Sequence, residues 1–463
     1  MNMNELWKTL KTALTGEEKN YTTGSIDRAI VLLSIPMVLE MLMESLFAVV
    51  DVYFVSKVSV DAVATVGLTE TVITLVYSLA IGLSTAATAV VARRVGEGKP
   101  EEASVAAMQS IWIAVALSLL LGVAGFIFAD DILRLMGGSE TLIAEGVGYT
   151  RIMLSTNVVI MLLFLLNGIF RGAGDASLAM RSLWLANGLN IVLDPLFIFG
   201  IGPFPEMGVA GAAVATSIGR GTGVLFQLYI LLRGTGVIHL LRRHLVLQWE
   251  IIRRIVRVAA GGAGQYLIAS ASWIFMMRII AVFGSEIVAG YTIAIRLIIF
   301  TILPSWGMSN AAATLVGQNL GAGKPERAEA SVWRSAFFNM LFMVSVSVVF
   351  FLGAEQLISL FTSEDGVISA GVVCLQIICA GYVFFAYGMV VGQAFNGAGD
   401  TRTPTLINLV CFWLLEIPLG YLLAVNLKIG PAGVYWAIAI SEAMLAVICV
   451  VLFRQGRWKL VQV

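Results

Sequence analysis

The sequence predicts an all-α integral membrane protein: twelve transmembrane helices in two six-helix lobes related by a parallel, pseudo-twofold internal repeat. Three observations carry this reading. Hydrophobic residues make up 59% of the 463-residue chain and charged residues only 13%, against roughly 25% charged in an ordinary soluble domain, and the mean hydropathy is +0.91. Apolar stretches of about 18 residues or more, enough to cross hydrocarbon as helix, recur from Ile26 to Phe453. The second half of the chain also repeats the first at a fixed offset.

Residues 1–25 are polar and lack the short apolar core and small-residue cleavage site of a signal peptide, so the first span is expected to be retained. In this leader Leu6, Trp7, Leu10, Ala13 and Leu14 form one apolar face opposite Lys8 and Lys11, the pattern of a short helix lying on a membrane surface. Breaks at Gly, Pro and charge clusters place spans near 26–55, 62–91, 103–128, 140–169, 177–200, 208–232, 252–283, 287–317, 328–353, 366–395, 404–424 and 432–453. They group into an N-lobe (26–232, spans 1–6), a linker (233–251), a C-lobe (252–454, spans 7–12) and a tail (455–463).

Charge sets the orientation. With the N-terminus inside, only Lys57, Arg134 and Lys428 of the 29 Lys and Arg fall on the far side. Arg151, Arg220, Arg278 and Arg296 lie within spans, and the remainder, Arg171 included, are assigned to the inside. This bias puts both termini and the linker in the cytoplasm.

A shift of 225 residues superposes Gly82 on Gly307, the run Gly96–Glu101 on Gly321–Glu326, and Phe170–Asp175 on Phe395–Asp400. One shift serving distant motifs is a duplication. Because each half has an even number of spans, both enter the membrane from the same side, the parallel repeat of transporters whose site lies between two lobes.

Several chemistries are excluded. Lys+Arg and Asp+Glu balance at 29 each, so charge predicts no nucleic-acid partner. Cys374, Cys379, Cys411 and Cys449 sit inside apolar stretches and read as small core residues, not a disulfide framework. In the GxGKPE strings Lys is followed by Pro rather than Ser or Thr, which argues against a phosphate loop. Without HExxH, CxxC or a repeated DxxxD, neither a metal enzyme nor a cofactor is expected. His239 and His244, in the Arg-rich linker, read as part of a topology anchor.

Ionisable residues inside spans are the functional candidates, because each costs a few kcal/mol in hydrocarbon. Glu40, Glu44 and Asp51 of span 1 fall within about 40° on a helix, an acidic stripe that must face the protein interior or a wet cavity. Pro36 removes a backbone donor on the same helix and makes it able to bend. In span 5, Asn190 and Asp194 lie one turn apart ahead of Pro195. Carboxylates at Asp51 and Asp194 could exchange a proton, or bind Na⁺ with the Asn190 amide. A plainer role is pairing with Arg151 or Arg220. Met37, Met41 and Met43 offer an adaptable, substrate-lining surface, or ordinary helix packing.

The stretch IPMVLEMLMESLFAVVDVYFV, the duplicated FRGAGD and FNGAGD loops, and NIVLDPLFIFGIG followed by GVAGAAVAT together resemble the multidrug and toxic compound extrusion (MATE) family, closer to its DNA-damage-inducible branch. By this resemblance Pro36 is the bending proline and Asp51 the essential first-span aspartate. Asn190 and Asp194 are the fifth-span pair, and Asn167 and Thr216 are neighbouring polar positions. The resemblance places H⁺ or Na⁺ coupling in the N-lobe. It departs from the norfloxacin-exporting branch: spans 7 and 10 lack a carboxylate, and the repeat counterpart of Asp51 is Met276.

The implied function is antiport. An ion-coupled exporter would expel amphiphilic or cationic small molecules by alternating access from a prokaryotic inner membrane, working as a monomer. The nearest rival, a flippase for lipid-linked sugars or peptidoglycan precursors, would need a cavity rich in Arg or Lys.

Overall fold

The computed structural model describes residues 3–16, 20–234 and 236–463, and every element longer than a turn among them is helical. The N-terminal half comprises α1 (Met3–Thr15), α2 (Ile26–Val55), α3 (Val60–Gly96), α4 (Pro100–Leu135), α5 (Glu140–Ser155), α6 (Asn157–Gly172), α7 (Ala176–Phe199) and α8 (Val209–Arg233). The C-terminal half comprises α9 (Trp249–Ile280), α10 (Ser285–Gly321), α11 (Pro325–Leu352), the short α12 (Ala354–Ser359), α13 (Asp365–Ala380), α14 (Tyr382–Ala398), α15 (Arg402–Asn408), α16 (Ile417–Tyr421) and α17 (Pro431–Arg454). Ten helical segments are individually long and apolar enough to span, and two bent pairs bring the number to twelve.

Those bent pairs are the fourth and tenth spans, α5–α6 and α13–α14, broken by 42° and 55°. The breaks fall at Thr156 and Gly381, which are equivalent under the repeat. At the first, Thr156 bonds Ser217 of α8 (2.8 Å), and the Asn157 amide donates to the carbonyls of Leu154 (2.6 Å) and Ser118 (3.1 Å), satisfying backbone that a straight helix would satisfy itself. A second irregularity has no N-lobe counterpart. Between α15 and α16 the chain winds as a π-helix, Leu409–Glu416, and again at Leu422–Asn426.

The duplicated motifs are turns. Gly98 (φ 72°) and Gly323 (φ 70°) end α3 and α10 in the left-handed region, and Pro100 and Pro325 open the following helices where a missing N–H costs nothing. Asp175 caps α7 through the Leu178 N–H (3.3 Å), and Asp400 accepts from the Thr403 N–H (3.2 Å).

The lobes meet at the end that carries the linker, and small residues make the meeting possible. A side chain at Gly82 of α3 would strike the backbone of α9 at Ala259 and Ala263, and one at Gly307 of α10 would strike α2 at Met37 and Val38. Further along, Gly96 lies against Gln318 and Gly321 against Arg93. Each contact is the other's image under the repeat, so the lobes close on one another around a twofold axis.

Chain segments reinforce this end. Arg327 donates to the carbonyls of Tyr21, Thr23 and Gly24 (3.1, 2.9 and 2.9 Å), while the Tyr21 hydroxyl donates to the Gly174 carbonyl (3.1 Å). From the other side Arg93 bonds the Val461 carbonyl and Arg94 that of Val463 (3.1 Å). The leader helix α1 buries Thr9 and Ala13 and leaves Trp7 and Leu14 exposed; the Leu6 side chain lies outside the described residues.

Substituting Gly96 or Gly321 by Ala is expected to destabilise the protein by about 1–3 kcal/mol, the usual cost of overpacking. Gly392→Ala, where a Cβ meets nothing within 4 Å, is expected to be neutral. Thermal unfolding in detergent compares the three.

Candidate functional site

The acidic stripe of α2 faces inward, towards α3, α6, α7 and α8, but its three carboxylates have different environments. Glu40, 1% exposed, accepts from the Asn167 amide (2.9 Å) and pairs with Arg171 (3.2 Å). Arg171 also donates to the Ser84 hydroxyl (2.9 Å), and Gln227 donates to Asn167. One turn on, Glu44 accepts from Asn187 (2.8 Å) and pairs with Arg220 (2.9 Å), whose guanidinium rests on Phe47 and Phe164 (5.0 and 5.9 Å to the ring centres). Both glutamates are therefore neutralised by a buried arginine.

Two turns further on, Asp51 has neither. It is 7% exposed, and no hydrogen bond among the described residues reaches it. Asp194 of α7 is fully buried and close enough for the two charges to act on each other. Asn190 stands beside it. With its nitrogen towards Asp194 Oδ2 (3.1 Å), its oxygen accepts from the Thr216 hydroxyl (3.0 Å) and the Thr216 backbone N–H (2.8 Å). Glu70 and Arg220 also lie within electrostatic reach of Asp51, and the buried Tyr149 within reach of both aspartates.

The expected site residues thus fall into two groups. Asp194, Asn190 and Thr216 come together, with Asp51 facing them. Asn167 does not join them: it belongs to the Glu40–Arg171 network nearer the linker end. Glu40 is buried, and it is its partner Arg171 that reaches the space separating the lobes. That space is lined by Met41, Ser84, Thr88, Phe164 and Arg171 from one lobe and by Trp306, Asn310, Gln393 and Asn396 from the other. Met41 is among its lining residues, whereas Met37 is fully buried where α2 meets α10. Helix α2 passes through the buried Pro36 without interruption, and the proline offers no N–H to the Leu32 carbonyl.

Arg171 is the last polar residue of α6, 8% exposed, and its charge is spent on Glu40 and not offered to a loop. Asn187, Gln227 and Tyr149 carry no charge to single them out in the sequence, whereas Glu70 is one of its in-span carboxylates. Asn187 could have been found, since it lies one turn before Asn190 on the same face. Among the described residues no group of three or more His, Cys, Asp or Glu could hold a metal ion.

A family model described as MatE matches residues 36–196 and again 263–422, once in each half. The chain belongs to the MatE family. Like other MatE proteins it is a membrane transporter. It is 28% identical over 447 residues to the probable multidrug resistance protein NorM of Thermotoga maritima, covering 95% of this chain and 96% of that one. It is 26% identical to the FAD transporter of Shewanella oneidensis, covering 92% and 94%. A solved outward-facing multidrug resistance MATE family transporter of the MOP superfamily superposes with a TM-score of 0.89 at 28% identity, covering 96% of this chain and all of that one.

Removing one member of a buried ion pair leaves the other uncompensated. Arg171→Ala is expected to cost about 3–5 kcal/mol and the Glu40→Leu/Arg171→Leu double substitution clearly less. Unfolding of the single and double variants in detergent measures the difference.

Proposed function

We propose that this MatE transporter is an ion-coupled antiporter that exports amphiphilic and cationic small molecules by alternating access. The observation that carries the reading is the contrast along α2. Glu40 and Glu44 have their arginines, whereas Asp51 and Asp194 share a buried pocket with only Asn190, Thr216 and distant charges, and so are the carboxylates free to take up H⁺ or Na⁺.

The closed linker end supports the cycle. The excess of Lys and Arg argues for a cytoplasmic location of that end and of both termini, so lobes held together there would part on the outer side. Residues 26–232 and 252–454 would act as the two lobes, 233–251 as the linker, with 1–25 as leader and 455–463 as tail. An ion entering the Asp51–Asp194 pocket changes its charge and packing and releases a drug bound in the neighbouring cavity. Ion and drug then need only a few kcal/mol of mutual destabilisation, and the effect is reciprocal. Bending of α2 at Pro36 would transmit it. The lobe-to-lobe repeat needs a single chain, and the compact loops fit a prokaryotic inner (cytoplasmic) membrane.

The flippase reading is weakened by Arg171 and Arg220. Arg171 lines the inter-lobe space and Arg220 is buried within the N-lobe, and each is already paired with a glutamate instead of being offered to a phosphate. Recognition of FAD by one relative leaves larger anionic substrates as the alternative cargo.

Purified protein in liposomes tests the proposal. Transport of a fluorescent cation should be driven by an imposed pH or Na⁺ gradient, whichever ion couples, and should fall at least tenfold in Asp51→Asn and in Asp194→Asn. Transport indifferent to both gradients, or untouched by both substitutions, rejects antiport at this site. Separately, Pro36→Ala should slow the cycle while leaving ion binding intact; an unchanged rate removes the bending step.

A further inference from the structure

The C-lobe holds a second pair of carboxylates, one buried and one partly buried, for which the described residues supply no ion-pair partner. Glu416 ends the π-helix Leu409–Glu416 and is 4% exposed; Glu442, on α17, is partly buried. No hydrogen bond from the described residues reaches either, and they are close enough for each charge to act on the other. The titratable groups within electrostatic reach are Cys411 on the same π-helix, Cys449 on α17 beside Glu442, and Tyr291 on α10 beside Glu416, with Tyr435 of α17 and Cys374 of α13 next to Tyr291. Arg278 of α9 lies on the outer side of α16, exposed in a groove with Ile417, Pro418 and Tyr421.

The placement of the pair follows from the repeat. Gly211 of α8 packs on the Phe197–Ile198 peptide, and Gly433 of α17 packs in the same way on the Leu423–Ala424 peptide. This correspondence carries Asn190 onto Glu416 and Arg220 onto Glu442. Relative to the Asp175 and Asp400 loops, one extra residue lies before Leu423, the insertion that a π-turn makes, and such turns recur at functional sites. Where the N-lobe has an amide and an arginine, the C-lobe has two carboxylates. Met276, the counterpart of Asp51, packs instead on Gly420.

A second observation points to an occupant. The rings of Tyr291 and Tyr435 stack at 6.0 Å with 7° between planes, both side chains are 1% exposed, and both hydroxyls lack any hydrogen-bond partner. Tyr291 lies within electrostatic reach of Glu416. Buried hydroxyls are expensive to leave unpaired, as are two adjacent carboxylates. One small positive charge between them relieves both.

We infer that Glu416 and Glu442 form a binding site for one monovalent cation, H⁺ or Na⁺, in the C-lobe, with the Tyr291 and Tyr435 hydroxyls as further oxygen donors. The site is separate from the Asp51–Asp194 pocket and gives each lobe its own charge-accepting centre, built on different helices.

The test uses full-length protein carrying Asp51→Asn and Asp194→Asn, so that the N-lobe pocket contributes nothing. Bound radiolabelled Na⁺ and the carboxylic-acid C=O stretch in infrared spectra are measured over a pH series. One bound Na⁺ lost in both Glu416→Gln and Glu442→Gln supports the site and identifies Na⁺. A carboxylic-acid band lost in both, with no bound Na⁺, supports it and identifies H⁺. Tyr291→Phe, which removes only a hydroxyl, is expected to weaken occupancy about tenfold, and it serves where a glutamine variant fails to fold. Absence of both signals, or signals that survive all three substitutions, overturns the site. Because the background lacks Asp51 and Asp194, neither result depends on whether those residues couple transport.

Discussion

The architecture depends on how closely two helix backbones can approach where the lobes meet. At Gly82, Gly96, Gly307 and Gly321 the helices approach until a single Cβ would collide with the facing backbone. In a membrane this matters more than in water, because lipid tails offer helices no hydrophobic reason to associate, and close packing of small residues must supply it. These contacts hold one end of the two lobes together. The arginine clasps to residues 21–24 and to Val461 and Val463 add directional bonds to the same end, leaving the remote half of α2, with Leu46, Val49 and Tyr53 exposed, free of that constraint.

Within each lobe, charge is governed by a different rule. A carboxylate out of water must be neutralised, and the protein does this in two ways. Glu40 and Glu44 are answered permanently by Arg171 and Arg220, with amides from Asn167 and Asn187 donating to them as well. Such pairs are inert: they rigidify the helix packing and fix the register of α2 against α6, α7 and α8. Asp51 and Asp194 are left without a fixed partner, and only a site of that kind can take its neutralising charge from outside and give it back. The coexistence of both arrangements on one helix separates scaffold from function within a few turns.

Much of this was legible in the residues. The twelve spans follow from the lengths of apolar runs, and the repeat from one register shift. The inward acidic stripe follows from helical periodicity, which makes positions 40, 44 and 51 share a face. What could not be read depends on which helix lies opposite which. Arg171 looks like a loop residue until α6 is seen against α2. Asn167 looks like a neighbour of Asp194 until Gln227 and Glu40 claim its amide. The breaks at Thr156 and Gly381 leave no signal in hydropathy, since the flanking residues stay apolar and a local side chain such as Asn157 takes up an interrupted backbone bond. The π-helix is equally silent, because an inserted residue in an apolar run changes neither its length class nor its composition.

The swapped glycine contacts also speak to history. Residue 96 meets 318 and residue 321 meets 93, the reciprocal geometry of an isologous interface between two identical subunits. Two copies of a half-length chain could have met through this surface, but such a homodimer would have had to bury the same side chain on both sides of its axis. Fusion into one chain removed that restriction. Arg171 now faces a cavity whose opposite wall carries Asn396 at the equivalent position, and Asp51 answers to Met276. The tandem chain is a dimer whose subunits were free to become chemically unequal while the seam between them stayed the same.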